Sequence, residues 1–195
     1  MSAAKILVVP GSLRVGSQNV RLAALAAREL ALAGADVTRI SLEDYALPLF
    51  GADVSAGSAP PPAAVQLKRM VTAHQGVFIA GPEYSASVAP LLKNAIDWIS
   101  RVREAGEPTY AAFKDRVFAL GAATSGSGGG IRSLMAMRQI LELGCGALVL
   151  PEQVSVPRAE QAFDDRDNLK DEAQAAALKT MARRLVELAS LLRRG

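Results

Sequence analysis

The chain has 195 residues, half of them hydrophobic but only 5% aromatic, with a formal net charge of +3 and a pI near 9.2. This length suits a single domain, 1–195, with an aliphatic core. The only cysteine, Cys145, rules out an internal disulfide, and the only histidine, His74, rules out a paired-histidine metal site. We interpret both as structural residues and expect no bound metal. The sequence has no apolar run of about 18 residues and no signal-peptide pattern, so we expect a cytoplasmic protein without membrane insertion.

The basic balance by itself could indicate a nucleic-acid partner, so the distribution of the charge matters. Much of the excess lies near the C-terminus, in Arg183, Arg184, Arg193 and Arg194. Apolar residues recur there at helical spacing and leave the arginines on a solvent-facing side. We therefore expect a solvated helix face and no nucleic-acid partner.

Short apolar runs alternate with helical patterns along the chain. Strands are predicted at Ile6 to Val9, Asp36 to Leu42, Gly76 to Gly81, Arg116 to Ala122 and Ala147 to Leu150. Helices are predicted at Asn19 to Ala33, Ala63 to Ala73, Ser87 to Val102, Ile131 to Leu143 and at the end of the chain. This alternation predicts an α/β fold with a doubly wound, five-stranded parallel sheet. The polar second strand suits a sheet edge, which favours the order 2-1-3-4-5.

A proline-rich connection, Glu43 to Pro62, follows the second strand. Connections of this length are unusual in compact domains and are either functional or disordered. We interpret it as an ordered surface loop followed by a mobile tip, and as a candidate lid or partner contact.

The loop Gly11 to Asn19 leaves the first strand and enters the first helix. Such a loop presents backbone N–H groups and the positive end of the helix dipole to a ligand. Ser12, Arg14, Ser17 and Asn19 add three neutral hydrogen-bonding side chains and one permanent charge, which suits a phosphate group.

Two well-known phosphate loops do not match these residues. Ser17 stands where the ATP-binding P-loop requires lysine, and the dinucleotide pattern G-x-G-x-x-G is missing because Ser12 and Leu13 follow Gly11. A lysine-free, hydroxyl-rich loop with one arginine better fits a phosphate monoester, such as that of FMN. An ordinary strand-to-helix turn capped by Ser17 or Asn19 is the alternative.

Two further loops are predicted to meet the first at the carboxyl end of the sheet. They are Pro82 to Ser87 after the third strand and the Gly/Ser stretch Thr124 to Gly130 after the fourth. In the order 2-1-3-4-5, the first and third strands diverge there and open a crevice. Tyr84 offers a flat apolar face, and the glycines let the backbone approach a flat ligand.

Three motifs resemble the NADPH-dependent FMN reductase family, which includes quinone, chromate and azo-compound reductases. They are Gly11-Ser12-Leu13-Arg14-x-x-Ser17-x-Asn19, Pro82-Glu83-Tyr84 and Leu92-Lys93-Asn94-Ala95-Ile96-Asp97-Trp98. The resemblance spans nearly the whole chain. It implies a flavodoxin-like fold, FMN as cofactor, NADPH or NADH as co-substrate, and a homodimer or homotetramer with the flavin near the subunit interface.

The resemblance also implies where FMN binds. The phosphate is expected at Ser12, Arg14, Ser17 and Asn19, and the isoalloxazine ring against Pro82 to Ser85 and Ser125-Gly126. The full set of expected cofactor-binding residues is Ser12, Leu13, Arg14, Ser17, Gln18, Asn19, Pro82, Glu83, Tyr84, Ser85, Ser125 and Gly126. No residue is expected to be catalytic, because a flavin carries out the hydride chemistry itself.

The chain departs from the family's pattern in two places, and at one of them His74-Gln75 stands where an acidic or small polar residue is common before the third strand. Ser85-Ala86 replaces the family's frequent Asn-Gly, which leaves the substrate range open, and we expect Glu83 to have a scaffolding or interface role. Trp98 lies off its helix's apolar stripe, which suggests that it packs against another subunit.

The expected activity is ping-pong electron transfer from NAD(P)H to a quinone, free flavin, chromate or azo compound. The alternatives are a flavodoxin-type electron carrier, which the basic charge disfavours, and a P-loop kinase.

Overall fold

The computed structural model describes residues 3–51 and 59–192. The predicted tip of the loop between Glu43 and Pro62 falls mostly at 52–58, and Arg193 and Arg194 follow residue 192. These positions lie outside the described residues.

A parallel five-stranded sheet organises the fold. Its strands are β1 (Lys5–Pro10), β2 (Asp36–Arg39), β3 (Gly76–Ala80), β6 (Val117–Ala123) and β7 (Leu148–Val156), and β4 (Glu83–Tyr84) pairs with β5 (Ser87–Val88) in a separate hairpin. The order across the large sheet is β2-β1-β3-β6-β7. This confirms the predicted order 2-1-3-4-5, with the polar second strand at an edge.

Helices cover both faces of the sheet. They are α1 (Gln18–Leu32), α2 (Pro62–Thr72), α3 (Pro90–Arg101), α4 (Ile131–Arg138), α5 (Ala159–Ala162) and α6 (Glu172–Leu192). Buried side chains of α1 and α6 form one apolar cluster with the sheet, and those of α2, α3 and α4 form the other. Strands buried on both faces explain the solidly apolar runs of β1 and β3. No helix in the described ranges is long and apolar enough to cross a membrane.

The structure corrects the predicted start of the third helix. We predicted a helix from Ser87, but Ser87 and Val88 are in β5, and α3 begins at Pro90. Proline suits the first turn of a helix because its missing N–H would have no partner there. The segment before Pro90 pairs instead with Glu83–Tyr84.

The last strand and the helix before it also differ from the prediction. Strand β7 runs six residues beyond the predicted end at Leu150, and a register shift lies between its pairings with Phe118 and Leu120. Pro151 lies within this irregularity in an edge strand, where proline is tolerated, and the polar residues after it made the strand hard to recognise from the sequence. Helix α4 ends at Arg138 and continues as a π-helical segment, Gln139–Gly144.

Trp98 does not provide the free apolar face that we predicted. Its side chain is 2% exposed, and its Nε1–H donates to the carbonyl oxygen of Pro48 at 2.7 Å. The ring of Phe50 meets it edge-on, with 5.2 Å between centroids. The segment before residue 52 therefore covers Trp98, and the indole gives no basis for a subunit contact.

The isolated histidine and cysteine are both buried, as expected of structural residues. The ring Nδ1 of His74 lies 2.6 Å from the carbonyl oxygen of Met70, one helical turn earlier. Cys145 directly follows the π-helical segment, and burial raises the pKa of its thiol to about 11.

Candidate active site

A cleft of about 280 Å³ opens at the carboxyl ends of β1, β3 and β6. It is the crevice expected where β1 and β3 lead into helices on opposite faces of the sheet. Its lining residues are Ser12, Arg14, Ser17, Gln18, Asn19, Pro82, Glu83, Tyr84, Ala123, Thr124, Ser125 and Glu160.

The structure brings most of the predicted site residues together here. Leu13, Ser85 and Gly126 belong to the same three loops but are not among the lining residues. Ala123, Thr124 and Glu160 line the cleft although we did not predict them. Thr124 is the first residue of the predicted Gly/Ser loop and Ala123 directly precedes it, whereas Glu160 lies in a stretch to which we assigned no ligand contact.

Loop 11–17 is folded back on itself at one end of the cleft. The N–H of Gly11 donates to the carbonyl oxygen of Ala80 at 2.7 Å, and the N–H of Ser17 donates to that of Arg14 at 3.1 Å. Gly16 has a φ of +71°, a left-handed conformation that favours glycine. Arg14 lies within this loop, where it is solvent-exposed and lines the cleft.

The start of α1 has the features of an anion-binding helix N-terminus. Ser17 is the N-cap, and its Oγ accepts a hydrogen bond from the N–H of Asn19. The first turn of α1 carries no acidic side chain, so no carboxylate of the helix itself competes for the positive end of its dipole. Helix α1 therefore presents an N-terminus, hydroxyls and one arginine to the same space.

Asn19 joins this helix to the neighbouring strand. Its Nδ2 donates to the carbonyl oxygen of Ala123 at 2.8 Å, and its Oδ1 accepts from the N–H of Ala123 at 2.9 Å. The side chain is almost fully buried, at 3% exposure. Asn19 lines the cleft, but its carbonyl oxygen and one amide N–H are used within the protein.

The hairpin formed by β4 and β5 borders the cleft next to loop 11–17. Its turn residues, Ser85 and Ala86, have φ values of 47° and 61°. Two successive positive φ angles in a two-residue hairpin are typical of a type I′ turn, for which Asn-Gly is the preferred sequence. Tyr84 is 52% exposed and lines the cleft. This segment therefore supplies an accessible flat side chain.

The Gly/Ser loop after β6 rests on the segment that follows β7. The N–H of Thr124 donates to the carbonyl oxygen of Val156, and the N–H of Arg158 donates to that of Gly126 at 3.1 Å. A Cβ on Gly129 would lie 2.2 Å from the Ser155 Oγ, so a side chain does not fit there. This packing places Glu160, at the start of α5, beside the cleft.

Leu92 of α3 packs closely against the ends of two strands. A Cβ added to Gly11 would lie 2.3 Å from its Cδ1, and one added to Gly81 would lie 2.6 Å from the same atom. Glycine at both positions lets the ends of β1 and β3 approach the helix. The apolar leucine of the Leu92-to-Trp98 motif thus helps to set the floor beneath both loops.

The chemistry of the cleft fits FMN. Hydroxyls, an arginine and a helix N-terminus at one end suit a phosphate monoester, which carries negative charge. Pro82 and Tyr84 supply apolar surface for a flat ring, and the exposed Ser125 lines the cleft with them. Across residues 3–51 and 59–192, no group of three or more His, Cys, Asp or Glu side chains is placed to hold a metal ion.

Comparisons with known proteins show the family of this chain. The profile of the NADPH-dependent FMN reductase family matches residues 4–161. An NAD(P)H-dependent FMN reductase of Pseudomonas aeruginosa is 34% identical over 93% of this chain and 96% of its own length. A probable NADPH:quinone oxidoreductase of Oryza sativa is 32% identical over 92% of this chain and 85% of its own.

A solved structure shows the same fold. The flavoenzyme NAD(P)H:(acceptor) oxidoreductase FerB of Paracoccus denitrificans superposes with a TM-score of 0.74 at 24% identity, covering 96% of this chain and 98% of its own. The sequence matches and the cleft identify this chain as a member of the NADPH-dependent FMN reductase family, an oxidoreductase that uses FMN and NAD(P)H.

Proposed function

We propose that this enzyme passes electrons from NAD(P)H, through FMN held in the cleft, to a small acceptor, with quinones as the first candidates. The observation that carries the proposal is the lining of the cleft, which combines the start of α1, with no acidic residue in its first turn, and the exposed side chain of Tyr84. Relatives named quinone reductase, including one of Escherichia coli that is 34% identical over 70% of this chain, support the acceptor class.

Each loop has a separate role in this proposal. Ser12, Arg14 and Ser17 hold the phosphate, together with the N–H groups at the start of α1. Pro82 to Ser85 and Ser125-Gly126 contact the ring. Asn19 contributes through the position of α1 relative to β6, because its side chain is bonded to Ala123.

FMN, when bound, supplies the hydride transfer chemistry, so the protein needs no nucleophile or general base of its own. The hairpin and the Gly/Ser loop keep the ring in place and leave one side of it accessible. If NAD(P)H and the acceptor use that side in turn, turnover follows a ping-pong scheme. Chromate, azo compounds and free flavin are further acceptors in this proposal, since an exposed cleft wall does not select strongly for shape.

An electron carrier without NAD(P)H turnover is the competing function. The family assignment and the net charge of +3 both count against it, because flavodoxin-type carriers are strongly acidic. The P-loop kinase alternative has no further support, because the lysine that it needs is replaced by Ser17.

We also propose that residues 1–195 form one cytoplasmic flavin-binding domain that assembles as a homodimer or homotetramer. Three exposed apolar side chains on loop 11–17 and α4 are candidates for the subunit contact, since Trp98 is covered within the chain. Val15 is 97% exposed, Leu13 49% and Met135 of α4 64%. Apolar side chains that form a contiguous exposed patch mark interaction surfaces.

Spectroscopy and kinetics test this function together. The purified protein, reconstituted with FMN, is expected to be yellow and to bleach when NADPH or NADH is added without oxygen. Double-reciprocal plots at several quinone concentrations are expected to be parallel. A flavin that nicotinamide cannot bleach would favour the carrier, and intersecting lines would exclude alternating use of one ring face.

A further inference from the structure

Helix α4 lacks a cap from its own sequence. Gly130 precedes it in a left-handed conformation, with a φ of 83°, and supplies no side chain. The first turn of α4 contains no acidic residue that could interact with the helix dipole. The N–H of Ile131 donates to the nearby carbonyl oxygen of Gly128 at 3.2 Å, but the next two N–H groups, of Arg132 and Ser133, take their partner from elsewhere in the chain.

Glu83 of the hairpin provides that group. Its Oε2 accepts hydrogen bonds from the N–H groups of Arg132 at 3.0 Å and Ser133 at 3.2 Å. Its Oε1 accepts from the Arg132 Nη1 at 3.1 Å. One carboxylate thus caps a helix that begins 48 residues later in the chain and pairs with a cation on that helix.

Burial makes the backbone contacts more important than the ion pair. The Glu83 side chain is 14% exposed, whereas that of Arg132 is 65% exposed. Ion pairs with one solvated partner contribute little, but a shielded carboxylate that accepts backbone N–H bonds at a helix N-terminus is held strongly. We therefore expect the two bonds to Arg132 N–H and Ser133 N–H to carry most of the interaction.

The hairpin needs such an anchor. Strands β4 and β5 share only the pairs Glu83–Val88 and Tyr84–Ser87, and a two-stranded hairpin of this kind is marginal by itself. Its turn also places Ser85 and Ala86 in left-handed conformations, which cost energy for residues other than glycine. The carboxylate of Glu83 ties this strained segment to α4, directly beside Tyr84.

We propose that Glu83 is a positioning residue for the ring end of the cleft. Through its bonds to the N-terminus of α4, it fixes the hairpin so that Tyr84 forms a stable wall for the flavin ring. It does not hold the phosphate. This inference rests on the proposed function, because it requires the ring to lie against Pro82 to Ser85.

The proposal predicts a specific pattern of affinities. Loss of Glu83 weakens FMN and riboflavin by the same factor, because the two ligands share the ring and differ in the phosphate. We expect about a tenfold loss for Glu83→Ala, as for an interaction of ordinary strength. Arg132→Ala is the matched control, since it removes the ion pair but leaves both backbone bonds, and it should change either affinity by less than about twofold.

A double-mutant cycle separates positioning from general stabilisation. Riboflavin affinity is measured for wild type, Glu83→Ala, Tyr84→Ala and the double variant, with flavin fluorescence as the signal. If Glu83 acts through Tyr84, the double variant binds riboflavin as Tyr84→Ala does. If Glu83→Ala does not fold, Glu83→Gln, which keeps one acceptor oxygen without the charge, replaces it in the same cycle.

The outcomes distinguish this inference from the proposed function. Additive effects of the two substitutions, or an unchanged riboflavin affinity in the Glu83 variant, would overturn the positioning role while wild type still binds flavin. A wild-type protein that binds neither FMN nor riboflavin would overturn the proposed function itself.

Discussion

Asn19 and Ala123 exchange two hydrogen bonds, at 2.8 and 2.9 Å, between the first turn of α1 and the last residue of β6. The side-chain amide of Asn19 thus pairs with both the N–H and the carbonyl oxygen of Ala123, as the backbone of a neighbouring strand would. These two bonds fix loop 11–17 relative to the Gly/Ser loop that follows β6. Two of the three loops around the cleft are therefore held together by one side chain.

Replacement of Asn19 should consequently destabilise the whole fold. Asn19→Ala leaves the N–H and the carbonyl oxygen of Ala123 buried without these partners, and we expect a loss of about 2 to 4 kcal/mol in the free energy of unfolding. Gln18→Ala, at the neighbouring half-buried position, is the control and should cost much less. Urea unfolding followed by circular dichroism measures both. Equal stability of the two variants would show that the Asn19–Ala123 bonds contribute little.

Ala86 offers a test of the strained hairpin turn. Its φ of 61° is unfavourable for alanine but not for glycine, so Ala86→Gly should raise the free energy of unfolding by about 1 kcal/mol. The same substitution on the exposed face of α6, Ala176→Gly, should lower it by about 0.5 to 1 kcal/mol. Thermal denaturation of both variants checks the opposite signs. A destabilised Ala86→Gly protein would argue against strain at this turn.

The segment that covers Trp98 is held by a second side chain of the same helix. Asn94 accepts from the N–H of Phe50 at 2.7 Å and donates to the carbonyl oxygen of Pro48 at 3.0 Å. Asn94→Ala should release this segment, at a cost of about 1 to 3 kcal/mol, and make it a site of limited proteolysis. Asp97→Ala on the same helix removes only the exposed pair with Lys93 and serves as the control. A cleavage rate unchanged in Asn94→Ala would contradict the role of this clamp.

The buried thiol of Cys145 should make the free energy of unfolding depend on pH. Burial, with a smaller contribution from Asp97, raises the pKa of its thiol from 9.0 to about 11. The unfolded thiol therefore loses its proton at lower pH than the native one, and stability should decrease as the pH rises from 9 to 11. Cys145→Ala removes this contribution, so its stability should fall less over that range. Parallel stability curves for wild type and variant above pH 9 would contradict the raised pKa.

The sequence was most informative where local pattern and burial agree. Apolar runs such as that in β1 marked the central strands, and the polar β2 marked the edge, so the sheet order could be predicted. Strand β7 could not be predicted in full, because Pro151 and the polar residues after it suit an edge strand with an irregularity as well as they suit a loop.

Long-range contacts account for what the sequence could not show. Glu83 caps a helix far along the chain, Asn19 bonds to Ala123, and Pro48 accepts the Trp98 indole N–H. None of these pairs has a spacing that periodicity or a local motif could reveal. The motifs predicted which loops border the cleft, but the contacts of each side chain within those loops depend on the tertiary structure.

The central claim, that this cleft holds FMN by its phosphate, is tested most directly by Arg14. Apoprotein of wild type, Arg14→Ala and Arg183→Ala is titrated with FMN and with riboflavin, and the dissociation constants are compared. Arg183 is also an exposed arginine, lies on α6 away from the cleft lining, and serves as the control. Because the Arg14 guanidinium is solvent-exposed, we expect Arg14→Ala to weaken FMN by about 1 to 1.5 kcal/mol, and riboflavin should bind all three proteins alike. An FMN dissociation constant that Arg14→Ala leaves unchanged, or a riboflavin affinity that falls as much as that of FMN, would contradict the account.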